Sequence, residues 1–196
     1  MALINQATKE IQLKIVYYGP PQGGKTSNLE KVHAEVEVAP DSRGKLTSLA
    51  TNSDRTLFFD FLPLDMGVIK GFKVRFHLYT VPGQVFYDAS RKLILRGCDG
   101  VIFVADSQRP RLEANIESIA NLATNLKDNG FDIRTIPYVL QLNKRDMPTT
   151  APLQEMEQLL RFHNEPMIEA VASKGLGVIE TLKACARQIL MELQKN

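Results

Sequence analysis

Runs of apolar residues alternate with amphipathic stretches along the chain. Residues 11–18 form an apolar, β-branched and aromatic run, which predicts a strand. Residues 100–106 are continuously apolar, which is typical of a central parallel strand covered on both faces. Further buried strands are predicted over 136–142 and 167–172. Apolar residues at helical spacing predict helices over 26–38, 86–96, 111–128, 152–162 and 176–193.

A hairpin is predicted in the first half of the chain. Residues 56–64 have the pattern of a buried strand, whereas residues 72–79 alternate apolar and polar positions as in a half-exposed strand. Turn residues lie between them at 65–67 and 70–71. Residues 39–55 show no periodicity and predict a long loop, placed where a nucleotide-sensing loop would lie.

Strands that alternate with helices predict one α/β domain over residues 1–196, with helices on both faces of a mostly parallel sheet and one antiparallel strand at its edge. Ligands of such sheets bind where the carboxyl ends of the strands meet. We therefore expect the residues that follow the predicted strands to converge on one rim.

The composition excludes several classes of protein. The net charge is +2, which is too small to indicate nucleic acid as the main partner. Cys98 and Cys185 have no metal-ligand spacing and are predicted to be core residues in a reducing compartment. Because no transmembrane run, signal peptide or lipidation signal is recognised, we expect a cytoplasmic protein without a direct lipid anchor.

Residues 19–26 match the P-loop pattern G-x-x-x-x-G-K-[ST] at every defined position. A strand before the loop and a helix after it make an anion trap, because backbone N–H groups and the helix dipole act at the same place. Lys25 would reach the β- and γ-phosphates, and the Thr26 hydroxyl would bind Mg²⁺. A coincidental glycine turn is the alternative. The predicted phosphate contacts are Gly19, Gln22, Gly23, Gly24, Lys25, Thr26 and Ser27.

The segment Asn143-Lys144-Arg145-Asp146 follows a buried strand and indicates which base is bound. The Asp146 carboxylate can accept two hydrogen bonds from guanine, whereas adenine has no such paired donors. Asn143 can brace the loop and donate toward the base, and the stem of Lys144 can cover the ring. The alternatives are a solvated polar turn, or an ATP-using P-loop protein, which Asp146 disfavours.

The P-loop, the Pro-Gly-Gln segment at 82–84 and the N-K-x-D segment occur in the order and spacing of Ras-like small GTPases, which this chain resembles. Residues 17–20, 55–64 and 76–84 more narrowly resemble bacterial gliding-motility and polarity GTPases of the MglA type. The resemblance covers nearly the whole chain. It implies a three-layer P-loop small GTPase fold. It also implies that the guanine oxygen meets backbone at Val171, Ala172 and Ser173.

The same resemblance implies a GTP/GDP switch, recruited in its GTP form to a cell pole, where it binds polarity or motility effectors. A roadblock/LC7-domain activator of the MglB type would stimulate slow hydrolysis by ordering residues that the GTPase already owns. Mapped onto this chain, Arg55 is an internal arginine finger and Gln84 orients the attacking water. Lys25, at the β- and γ-phosphates, is the third expected catalytic residue. Thr56 would sense the γ-phosphate and Mg²⁺, and Gly83 would contact the nucleotide.

Each of these roles has a plain structural alternative: a surface charge for Arg55, a turn residue for Gln84 and a strand start for Thr56. Arg91, Lys92 and Arg96 lie on the predicted helix after Gln84, and either contact a partner or form a solvated face.

Two residues depart from the common small-GTPase pattern. Thr80 replaces the aspartate of the D-x-x-G motif, so either the metal binds more weakly or Asp60 assists in holding it. Pro21 stands where most relatives have glycine, and it lacks a backbone N–H beside the γ-phosphate. Two hypotheses follow: a hydrolysing GTPase switch, or a GTP-dependent scaffold with little or no hydrolysis.

Overall fold

A computed structural model of the chain describes residues 3–35, 47–50, 56–82 and 88–195. Eight strands and five helices are assigned in this part of the chain. The strands are β1 (Leu3–Asn5), β2 (Glu10–Tyr18), β3 (Thr47–Ala50), β4 (Thr56–Ile69), β5 (Phe72–Thr80), β6 (Gly100–Asp106), β7 (Tyr138–Asn143) and β8 (Met167–Glu169). The helices are α1 (Lys25–Glu35), α2 (Asp88–Leu95), α3 (Leu112–Asp128), α4 (Leu153–Leu160) and α5 (Val178–Lys195).

The strands form one sheet in the order β3-β4-β5-β2-β6-β7-β8, and β1 pairs with β2. The five strands from β5 to β8 in this order are parallel, whereas β3, β4 and β1 pair antiparallel. The predicted α/β class is thereby confirmed, with its mostly parallel sheet and its antiparallel edge. The antiparallel edge also holds a second strand, β3, which pairs outside β4.

Two strands lie where the sequence predicted none. β3 falls inside the stretch 39–55 that was expected to be a loop, although residues 36–46 and 51–55 lie outside the described part. β1 lies before residue 11, where no element was predicted, and its hairpin turn is held by Asn5 Oδ1, which accepts from the N–H groups of Ala7 and Thr8 at 3.0 and 3.2 Å. Strands of three and four residues are too short to show a period, so pairing decides them.

The predicted hairpin is confirmed, but its turn is shorter than expected. β4 continues through residues 65–67, with an irregularity in register between Asp65 and Val68. The chain reverses at Lys70 and Gly71, whose φ angles are 50° and 80°. Two central residues with positive φ are the hallmark of a type I′ turn, which matches the twist of the flanking strands.

Other boundaries shift by a few residues. The strand expected over 167–172 ends at Glu169, and a 3₁₀ turn at Ala172–Lys174 follows. α1 begins one residue earlier than expected, and its predicted end lies outside the described residues, as does the predicted start of α2. No helix in the described ranges is both long and apolar enough to cross a membrane.

The sheet separates two apolar cores. Leu13, Ile15 and Tyr17 of β2 pack on the side of α1 and α5. Val16 and Tyr18 of the same strand pack on the side of α2, α3 and α4. A strand that is buried on both faces is a near-continuous apolar run, which explains why the sequence identified β2 and β6 so directly.

A polar triangle joins three elements inside the first core. The fully buried Gln141 of β7 exchanges hydrogen bonds of 2.8 and 2.9 Å with the side-chain amide of Asn28 on α1. Gln141 Nε2 also donates to Thr181 Oγ1 on α5 at 2.9 Å. Because buried polar groups are costly when unpaired, this triangle fixes how α1 and α5 sit on the sheet.

We predict that Thr181→Val lowers the free energy of unfolding by about 1–3 kcal/mol, because it removes an acceptor from the buried Gln141 amide. Chemical denaturation measures this. Thr124→Val is the matched control: its hydroxyl also donates to the carbonyl four residues earlier, but it is exposed. The control should cost less than about 0.5 kcal/mol. Equal losses in both variants would contradict a role for the triangle.

Candidate nucleotide-binding site

The predicted site residues meet at one rim of the sheet. β2 runs into the glycine-rich loop 19–24, β5 into residues 81–82, β7 into residues 144–146, and β8 into residues 170–173. Because these strands are parallel, their carboxyl ends lie at the same edge. The expected convergence is therefore observed for all predicted site residues whose side chains the structure describes.

The glycine-rich loop has a backbone that ordinary side chains would not tolerate. Gly19 has φ of 139°, and a Cβ there would lie 2.2 Å from the carbonyl oxygen of Val104. Gly24 has φ of 104°, and a Cβ there would lie 2.1 Å from Asn143 Nδ2. Gln22 also has a positive φ, of 59°. The loop thus turns tightly against β6 and β7, as a phosphate-binding loop requires.

Lys25 is the first residue of α1, and only 6% of it is exposed. Its Nζ donates to the carbonyl oxygens of Gly19 and Pro20 at 2.9 and 2.8 Å. The ammonium group therefore lies inside the curl of the loop, where the α1 dipole is also positive. Thr26 and Ser27 follow in the first turn, both half-buried.

Asn143 joins three loops through its side-chain amide. Its Nδ2 donates to the carbonyl of Gly23 in the glycine-rich loop at 2.8 Å. Its Oδ1 accepts from the N–H of Ala172, also at 2.8 Å. Asn143 is the first residue of the N-K-x-D segment. Its side chain therefore connects this segment to the glycine-rich loop and to the loop after β8.

A buried carboxylate that the sequence analysis missed lies next to Lys144. Asp106 at the end of β6 is 1% exposed, and Lys144 Nζ lies 2.7 Å from its Oδ2. Arg111 Nε lies 3.9 Å from the same oxygen, and Arg111 Nη2 donates to the carbonyl of Pro21 at 2.9 Å. The position of Asp106, at the carboxyl end of an apolar strand, was the signal that could have identified it.

Asp146, predicted to bind guanine, pairs at 2.9 Å with Lys174. Lys174 lies in the loop 170–174 after β8, which we call the third loop. The hydrogen bond from Lys174 is the largest reason why the pKa of the Asp146 carboxyl is lowered from its usual value. The carboxylate is therefore ionised near neutral pH and can accept two hydrogen bonds. Val171 and Ala172 are buried beside it, and Ser173 is exposed.

Four predicted residues cannot be placed fully. Arg55, Gly83 and Gln84 lie outside the described residues, so their catalytic and binding roles stay predictions. Thr56 begins β4, but its side chain is not described. Thr80 ends β5 and is fully buried. Among the described residues, no three His, Cys, Asp or Glu side chains are grouped closely enough to hold a metal ion.

The chain was compared with known proteins. It is 58% identical over 196 residues to the mutual gliding-motility protein MglA of Myxococcus xanthus (strain DK1622), a match that covers 100% of both chains. The chain belongs to the MglA family of small GTPases. This membership agrees with the P-loop, the N-K-x-D segment and the sheet order of the structure. No family model matches the chain.

More distant matches are translation factors. Elongation factor 4 of Staphylococcus epidermidis is 34% identical over 113 residues, which is 55% of this chain and 17% of that protein. A chloroplastic translation factor GUF1 homolog of Ricinus communis is 29% identical over 116 residues, covering 58% of this chain and 15% of that protein. The likeness of this MglA-family chain to those proteins therefore extends to only a small part of each.

We predict that Lys174→Met raises the pKa of the Asp146 carboxyl toward the free value of about 3.9. If the ionised form accepts the guanine donors, as the sequence predicts, guanine-nucleotide binding is present above this pKa and is lost as pH falls through it. The acid limit of guanine-nucleotide binding should therefore move to higher pH. Carboxyl ¹³C NMR titration measures the pKa, with Lys183→Met on the exposed face of α5 as control. An unchanged pKa in Lys174→Met would refute the pairing.

Proposed function

We propose that this chain is a GTP/GDP switch that hydrolyses GTP to GDP slowly, as one small-GTPase domain over residues 1–196. The observation that carries the proposal is the double hydrogen bond of Asn143, which holds the phosphate loop, the N-K-x-D segment and the third loop at one rim. Family membership supports the same conclusion.

Guanine is the base that the rim favours. The Asp146 carboxylate pairs with Lys174, and the hydrogen bond from Lys174 lowers the pKa of this carboxyl. It would accept from the ring N–H and the exocyclic amine of guanine. Adenine offers no matching pair of donors, so its binding would leave the carboxylate without those hydrogen bonds.

We predict that Asp146→Asn weakens GTP binding by about 10–100-fold, because hydrogen bonds to a charged group contribute about 1.5–3 kcal/mol. ATP binding should stay unchanged. Fluorescent-nucleotide competition measures both affinities. Asp132→Asn is the matched control, since that carboxylate pairs with Arg134 in the loop before β7, away from the rim. A wild-type protein that binds ATP as tightly as GTP would exclude the proposal.

The phosphates would be held by the backbone N–H groups of the non-proline residues in the loop 19–26 and by the Lys25 ammonium group. The proposed catalytic residues are Arg55 for the charge of the transition state and Gln84 for the attacking water, with Lys25 beside the β- and γ-phosphates. Positioning and electrostatics account for most catalysis of phosphoryl transfer, so an activator that orders Arg55 and Gln84 would raise the rate. We propose a roadblock/LC7-domain protein as this activator.

The proposed protein ligands of magnesium are threonine hydroxyl oxygens. Thr26, in the first turn of α1, would supply one hydroxyl ligand, and Thr56 is the proposed second. Thr80 at the end of β5 offers no carboxylate, so phosphate oxygens and water would complete the shell. The bound ion would neutralise charge on the phosphates.

The biological role follows from the relative whose name refers to gliding motility. We propose that the GTP form of this protein, in the cytoplasm and recruited to a cell pole, binds effectors of motility or polarity. No direct lipid anchor and no nucleic-acid partner are proposed. Detection of GTP-dependent capture of a roadblock-domain protein by the purified chain would test the partner assignment.

A GTP-dependent scaffold with little hydrolysis is the second candidate, and Pro21 is the observation that favours it. Proline donates no hydrogen bond to the phosphates, and the Pro21 carbonyl is tied to Arg111 at 2.9 Å. The loop is therefore held in place while lacking one N–H donor.

Single-turnover phosphate release, with and without the activator, distinguishes the two candidates. If Pro21 suppresses hydrolysis, Pro21→Gly should raise the rate by about 10–100-fold, since it restores an N–H donor to a charged group. Pro166→Gly, exposed before β8, is the control for added backbone freedom. Wild-type release that Pro21→Gly does not increase would exclude the scaffold. No wild-type release under either condition would exclude the hydrolysing switch.

A further inference from the structure

A polar cluster lies between the end of β2, the start of α2 and the middle of α3. Its members are Tyr18, Asp88, Arg91, Asn121 and Asn125, which we call the α2–α3 clamp. The sequence analysis assigned none of them to the site, and it considered Arg91 only as a partner contact or a solvated charge. Those readings are wrong for Arg91, which is 3% exposed.

Arg91 connects the entrance of the segment 83–87 to α3. Its Nε donates to the carbonyl of Pro82 at 2.9 Å, and its Nη1 donates to Asn121 Oδ1 at 2.9 Å. The guanidinium carbon also lies 5.8 Å from the centre of the Tyr18 ring. A guanidinium can hold two acceptors in a fixed geometry, whereas a lysine ammonium is a single mobile point charge.

Asp88 connects the exit of the same segment to α3. Asn121 Nδ2 and Asn125 Nδ2 donate to Asp88 Oδ1 at 2.7 and 2.9 Å. These two hydrogen bonds are the largest reasons why the pKa of the Asp88 carboxyl is lowered. Asp88 is the first residue of α2, where the positive end of the helix dipole stabilises a negative charge.

Tyr18 links the clamp to the phosphate loop. Its hydroxyl hydrogen-bonds to Asn121 Oδ1, and Asn125 Nδ2 donates to the hydroxyl at 3.3 Å. Tyr18 is fully buried and immediately precedes Gly19. One network therefore touches the residue before the phosphate loop, the residue before the segment 83–87 and the residue after that segment.

We propose that Arg91 and Asn121 are positioning residues that hold Pro82 and Asp88 against α3. Gln84 lies between these two residues in the sequence, so the loss of either anchor would change where the attacking water is held; that consequence rests on the proposed hydrolysis of GTP. A displacement of about 1 Å at a catalytic group can cost about 100-fold in rate.

Two nearly isosteric variants test the clamp. Arg91→Lys keeps the charge but replaces the two separate nitrogens that bind Pro82 and Asn121 with a single one on a differently shaped side chain. Asn121→Asp keeps the acceptor for Arg91 but replaces the donor to Asp88 with a carboxylate. Asp128→Asn is the matched control, because it makes the reverse exchange on α3 and breaks only the exposed contact between Asp128 and Lys92.

Amide hydrogen exchange of the GDP-bound full chain is the first measurement. We expect exchange over residues 83–90 to become about tenfold faster in both variants, as for a local opening made easier by about 1.4 kcal/mol, with α5 and β7 unchanged. The control should show no change. Unaltered exchange over 83–90 in both variants, or a uniform increase across the chain, would overturn the proposal.

Nucleotide affinity and activator-stimulated single-turnover hydrolysis are the second pair of measurements. We expect hydrolysis to fall by about 10–100-fold while GDP and GTP affinities stay within about threefold of the wild type. A parallel loss of affinity and rate would indicate general destabilisation, and an unchanged rate would remove the catalytic consequence. If the wild type itself hydrolyses no GTP, the proposed function fails, while the exchange result still decides whether the clamp exists.

Discussion

The arrangement of the rim depends on the side-chain amide of Asn143. One amide carries both a donor and an acceptor, so it can satisfy the Gly23 carbonyl and the Ala172 N–H at once, each at 2.8 Å. The absence of a side chain at Gly24 lets the amide come this close, because a Cβ there would lie 2.1 Å from Nδ2. Asn143 therefore connects the glycine-rich loop directly to the loop after β8.

Charged side chains provide a second connection between the N-K-x-D segment and the glycine-rich loop. Asp106 is nearly fully buried and lies between Lys144 of the N-K-x-D segment and Arg111, which holds the Pro21 carbonyl. A buried carboxylate needs such partners, since its desolvation would otherwise cost several kcal/mol. The pattern thus couples the base-binding segment to the phosphate loop at the one position where proline has replaced the usual glycine.

Polar side chains also organise the other face of the sheet. Asn115 on α3 accepts from the Asp106 N–H at 2.9 Å and donates to the Asp106 carbonyl at 2.8 Å, so it caps the end of β6. Asn125 is equally buried on the same helix. Leu122 and Leu126 of α3 are fully buried, whereas Ile116, which shares their apolar helical spacing, is 44% exposed. A hydrophobic period does not reveal asparagines that are buried because they have partners.

The sequence by itself determined the class of fold and the strands buried on both faces, and it located the glycine-rich loop and the N-K-x-D segment that are predicted to bind phosphate and base. Each of these is encoded locally, by an apolar run or by a motif whose residue types are dictated by its chemistry. Only the tertiary structure decided that β1 and β3 are strands, that Asp106 and Arg111 belong to the rim, and that Arg91 is buried. Those properties depend on partners outside the residue's own segment, and some of these lie far along the chain: Arg91 meets Asn121 thirty residues later. A local pattern carries no information on which distant group completes a hydrogen bond or pairs a charge.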